Sequence, residues 1–118
     1  MTLVNRTPHL LRIYRHDAPD VIEDLTQDLV HVIAPTPPAV RLAMIDLGTQ
    51  HWVHRIPVEL VEFGHAHDLP VPQPDTHVIV SLVVALALHH RMDLVFPYCE
   101  VRNPDGTVVG CRQLGQVC

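Results

Sequence analysis

The chain has 118 residues, 47 % hydrophobic and 18 % charged, a balance that supports one domain with a real core and excludes disorder. Its net charge of −5 with histidines neutral excludes a broad nucleic-acid or anionic-membrane surface. All 8 basic residues are Arg and none is Lys, so Schiff-base and P-loop lysine chemistry is unavailable, while bidentate recognition of phosphate or carboxylate stays open.

Met1 to Arg6 carries no apolar signal-type segment. The longest apolar run, Val78 to Leu88, is interrupted by Ser81 and is too short to span a bilayer. Cysteine occurs 3 times, at positions 99, 111 and 118, an odd number that fits a reduced, soluble, cytoplasmic protein. The 11 prolines confine any long helix to the windows 20–34, 39–56 or 75–96.

Taken in order, Leu10 to Tyr14 reads as a strand. Asp20 and Glu23 stand in capping-box spacing and permit a short helix, whereas Leu29 to Ile33 alternates around His31 and suits a strand. After the turn Pro35-Thr36-Pro37-Pro38, Val40 to Ile45 reads as a strand returning against the previous one. Val58 to Phe63 is another strand, and Pro70, Pro72 and Pro74 form an extended surface loop. Val78 to Val80 is a buried strand, Ser81 caps the following helix, and Leu82 to Leu88 is apolar on every side, as in a buried helix. His89, His90 and Arg91 place positive charge at its C-terminal end.

Asn103-Pro104-Asp105-Gly106 predicts a type I turn with Gly106 in the left-handed region, a three-residue hairpin loop with a bulge. With Asn103 facing Thr107, simple alternation sets Val101 opposite Val109 and Cys99 opposite Cys111, all inward. Tyr98, Glu100, Arg102 and Arg112 then share the outer face. The expected architecture is a single α+β domain over residues 1–118. A small, mainly antiparallel sheet of roughly five to seven strands packs on one principal buried helix. Exposed strand edges and the aliphatic excess point to a homo-oligomer.

Several segments resemble a family of small uncharacterised proteins of phages and prophages, especially of high-GC bacteria. They are Asn5-Arg6-Thr7-Pro8-His9, Pro57 to Gly64 with Leu69-Pro70, and Val78 to Ser81 with Val84-Ala85. Arg91 to Pro97, Val101 to Gly106 and Val109 to Leu114 complete the likeness. The resemblance implies no activity, and its pattern lacks the additional histidines found here.

Candidate sites follow from the residues. Arg102 and Arg112, with Tyr98 between them, Arg91 nearby and the helix start at Ser81, make an anion-binding pocket the sharpest expectation. The competing reading is a solvated face in which Glu100 pairs with Arg102 and Arg112, and Arg91 with Asp93. Ser81 lacks the flanking glycines of a nucleophile elbow. His65, His67 and Asp68, with His51 and His54 upstream, are candidate metal ligands, but His51 and His54 face opposite ways on a strand and His65 and His67 fall in a loop, so no metal or cofactor is assigned.

The expectation leans away from an enzyme, toward a phage-type binding protein that sequesters an anionic, nucleotide-like ligand and counters host defence. A metal-assisted hydrolase and a structural or protein-interaction accessory remain open as alternatives.

Overall fold

The computed structural model describes residues 1–118. Eight strands and one helix follow in order: β1 (Thr2–Asn5), β2 (Leu11–Tyr14), β3 (Leu29–Ile33), β4 (Arg41–Val53), β5 (Ile56–His67), β6 (Thr76–Ile79), α1 (Leu82–Ala87), β7 (Leu94–Arg102) and β8 (Val108–Gly115). Six strands form one sheet in the order β1-β6-β7-β8-β2-β3, while β4 and β5 pair only with each other. No helix is long and apolar enough to cross a membrane.

The six-stranded sheet curls until its ends nearly meet. Asn5 at the end of β1 bridges Pro35 just beyond β3, and the Thr36 amide donates to the Asn5 carbonyl at 2.7 Å. The Asn5 side chain completes the seam. Its Nδ2 donates to the carbonyls of His9 at 2.8 Å and Ile33 at 3.0 Å, and its Oδ1 accepts from the Thr7 amide and hydroxyl. Asn5 is the one buried polar residue, and its amide is fully satisfied.

Every strand of this barrel-like sheet contributes to a single apolar cluster. Leu11, Ile13, Ile79, Val95 and Cys111 are buried there, with Leu3, Ile33 and Leu114 packed against them. Val40, Val78, Val80 and Leu94 pack with Val84 and Ala85 of α1. A third group, Tyr14, Ala18, Ile22 and Val101, seats the loop between β2 and β3. The Tyr14 hydroxyl donates to the Leu25 carbonyl at 2.9 Å, and burial pushes its pKa up.

The architecture is therefore mainly β, and the α+β expectation with a principal buried helix is corrected. α1 has 6 residues, of which Val84 and Ala85 are buried, while Leu82, Val83 and Leu86 stay exposed. The all-round apolar pattern reflects the crossover. β6 and β7 are parallel neighbours, so the chain must travel the length of the sheet between them, and a short helix fills that path. Ser81 caps it as expected, its hydroxyl accepting from the Val84 amide at 3.4 Å.

The sheet is also mixed rather than mainly antiparallel. β1–β6, β6–β7 and β2–β8 are parallel pairs, and β2–β3 and β7–β8 are antiparallel. β3 spans Leu29–Ile33 as the alternation predicts, and turns occupy the segment before it, with no helix. β4 does not return against β3; it pairs with β5.

The 103–106 loop has the expected form. The Gly106 amide donates to the Asn103 carbonyl and the Asn103 amide to the Thr107 carbonyl, both at 2.9 Å, with Gly106 at φ 86°. The register beyond Arg102–Val108 is corrected by one residue: Val101 faces Gly110, Glu100 faces Cys111 and Tyr98 faces Gln113. Gly110 supplies the reason. A Cβ there would collide with the Arg12 carbonyl and lie 2.6 Å from the Tyr14 ring, so only glycine fits where β2 crosses β8. Val109 bulges to let Gly110 reach that position.

Candidate functional site

The register correction separates the expected arginine pair. Arg112 Nη1 donates to the Ala18 carbonyl at 2.9 Å and to Asp20 Oδ1 at 2.6 Å. The main chain of Arg102 grips the same loop: its amide donates to the Asp20 carbonyl and its carbonyl accepts from the Ile22 amide. The Arg102 guanidinium turns elsewhere, to Glu100 at 2.6 Å and to the Gly106 carbonyl at 2.8 Å within its own hairpin. Glu100 pairs with Arg102 alone. An anion at either guanidinium competes with Asp20 or Glu100 already in place.

Arg91 is held more firmly. Its Nε and Nη2 clasp both oxygens of Asp93 at 2.8 and 2.7 Å, and Nη2 also reaches the Pro70 carbonyl at 3.0 Å. The fork pins the proline-rich loop to the start of β7, and the hydrogen bonds from Arg91 hold the Asp93 carboxyl below its ordinary pKa. Tyr98 is exposed and meets Phe96 edge-on, with ring centroids 6.2 Å apart.

Two concavities flank the barrel. A groove of about 600 Å³ runs between the 7–12 segment, the start of α1 and the β7–β8 hairpin, with Thr7, His9, Arg12, Ser81 and Glu100 as its polar lining. Of the residues expected to bind an anion, only Ser81 lines it. A second hollow of about 520 Å³ lies among Pro8, Pro35, Pro37 and Pro38, with Arg41 and Asp68 at its rim.

His65 and His67 project from the end of β5 and are exposed, with Asp68 just beyond. No group of three or more His, Cys, Asp or Glu side chains gathers with metal-holding geometry. Cys111 is buried in the barrel cluster, where burial raises its thiol pKa. Cys99 is the correction here: its Sγ lies outside, 3.5 Å from Gln113 Oε1, and its own φ of 58° breaks the alternation that would put it on the face of buried Val101.

The least expected feature is the β4–β5 ribbon. Its strands run 13 and 12 residues, joined by His54 and Arg55 at φ 49° and 65° in a tight left-handed turn. Not one of these strand residues is buried, although Met44, Ile45, Leu47, Trp52, Ile56 and Phe63 all stand exposed on it. The ribbon extends the molecule. Its radius of gyration is 16.8 Å, against about 13.5 Å for a compact domain of this length.

Sequence reasoning found both strands and missed their isolation. The available signal was the apolar content at both parities of 56–63, Ile56, Val58 and Leu60 on one and Val61 and Phe63 on the other. A strand apolar on both faces needs cover on both. Nothing within this chain supplies it.

A scan against protein-family models, a search of curated proteins and a search of solved structures each find no match.

Proposed function

We propose that this chain is a non-catalytic structural or protein-interaction protein of the cytoplasm, whose barrel holds out the β4–β5 arm as a docking element. One observation carries this reading: the arm buries none of its own residues while exposing a row of large apolar side chains. An isolated two-stranded ribbon is marginal in water, and ordering each residue costs roughly 1–2 kcal/mol, so a partner's surface is the natural source of the missing burial. The three free thiols accord with a reducing compartment.

The test is an arm-shortened chain in which an Asn-Gly turn joins Leu42 to Ala66, residues already opposite each other. The expected result is a barrel that unfolds at nearly the same temperature but loses the associations of the full chain in sedimentation, alone and in cell extract. A shortened chain that keeps every association, or that fails to fold, overturns the reading.

A further inference from the structure

We propose that the arm's partner is a second copy of this chain, packed face to face and antiparallel about a two-fold axis near Val58 and Glu59. The proposal rests on the docking reading above and specifies its partner. Three observations support it.

The first is surface area. The molecule exposes 7871 Å², roughly 1,400 Å² more than a compact monomer of its mass. That excess covers the ~800 Å² each partner contributes to a stable interface.

The second is the sorting of side chains. Cross-strand partners share a face, and β5 alternates regularly from Ile56 to Phe63. One face carries Trp52, Val61, Met44 and Phe63 but is split by Asp46 and by the Thr49–Glu59 hydrogen bond. The other carries Val53, Ile56, Val58, Leu60 and Ile45 as an aliphatic strip, with His51 beside it and Glu62 at its inner end. An aliphatic strip broken only by His51, which stands opposite Val58, and ended by Glu62 suits a homodimer seam.

The third is charge. Arg55 lies in the turn and Glu62 seven positions along β5, about 23 Å away at the usual strand rise. An antiparallel overlay about the 58–59 midpoint sets Arg55 of each copy against Glu62 of the other. Isologous packing places each pair twice.

The experiment uses the full chain with Cys99→Ser and Cys118→Ser, followed by sedimentation equilibrium and crosslinking with a short bis-maleimide. A dimer is expected. Val58→Cys, near the axis, is joined across the pair by a reagent that spans the ~10 Å between facing sheets, whereas Val61→Cys, on the other face, is not. Leu60→Asp weakens association by about a hundredfold, because both copies lose the contact. Arg55→Glu and Glu62→Arg each weaken it, and the two together restore it.

A chain that stays monomeric at about 100 μM, or that crosslinks through Val61→Cys and not Val58→Cys, overturns this inference and leaves the docking reading to a different partner or face. A dimer that persists unchanged in the arm-shortened chain overturns both. Because no arm strand residue is buried, these variants leave the barrel's thermal unfolding in place as a folding control.

Discussion

Replacing Asn5 with Ala removes the side chain that completes the barrel seam, and the cost can be worked bond by bond. Four hydrogen bonds disappear: two donated by Nδ2 to His9 and Ile33, and two accepted by Oδ1 from Thr7. Not every partner is orphaned. The Thr7 hydroxyl also donates to the His9 carbonyl at 3.2 Å, so that pair satisfies itself. The Ile33 carbonyl and the Thr7 amide are left. At about 1–1.5 kcal/mol for each orphan, plus about 1 kcal/mol for lost packing, Asn5→Ala costs about 3–4 kcal/mol.

For a domain of this length that lowers the melting temperature by roughly 10–15 °C. Urea denaturation followed by circular dichroism measures it, and an unchanged m-value shows that the native surface is retained. Asn5→Asp keeps the acceptor and loses both donors, so it offers no rescue. Thr7→Val, which removes only the hydroxyl bonds, costs about 1 kcal/mol. An Asn5→Ala loss below about 1 kcal/mol, or one no larger than that of Thr7→Val, would refute the reasoning.

Gly110→Ala forces a methyl against the Arg12 carbonyl and the Tyr14 ring, and it costs about 3 kcal/mol or more in the same denaturation assay. Gly48→Ala meets open space and pays only for its φ of 97°, about 1 kcal/mol. Asp93 has a lowered pKa in the folded chain, so its stabilisation is complete above the unfolded value and is lost as pH falls through the folded one. Asp93→Ala therefore costs about 2 kcal/mol at pH 7, and its gap from the wild type narrows only as pH falls below the ordinary aspartate value of about 3.9, in parallel urea melts. Native thiol labelling followed by mass spectrometry modifies exposed Cys118 first and spares Cys111, whose burial keeps it protonated until the chain unfolds.

Local chemistry was the legible part of this chain. The 103–106 turn, the Ser81 cap, the bounds of β3 and the Arg91–Asp93 fork each depend on a few neighbouring residues, and each is found as read. What depended on distant strands was not legible. Alternation carried the hairpin register past Arg102 without knowing that β2 would press on Gly110, and so it joined two arginines that serve different partners; it also could not foresee the left-handed φ of Cys99, which takes that side chain off the inner face. The apolar 82–88 run imitated a core helix, although only Val84 and Ala85 of it are buried and Leu82, Val83 and Leu86 stay exposed. The arm escaped for a different reason: its apolar residues resemble those of a core strand, yet beyond Leu42 and Ala66 at its base no core stands behind them.

The order in which the strands pair bears on how the chain matures at the ribosome. β2 pairs early with β3, but it meets β8 only through Ile13 and Cys111, and β1 meets β6 through Thr2 and Thr76, so the barrel closes only once nearly the whole sequence has been made. The ribbon needs only its own turn. It is complete while the barrel is still open, and its bare aliphatic strip faces solvent throughout that interval. Newly made chains on one polysome thus carry sticky hairpins ahead of finished barrels, a state in which low temperature, slow translation or a holdase chaperone raises the yield of native protein.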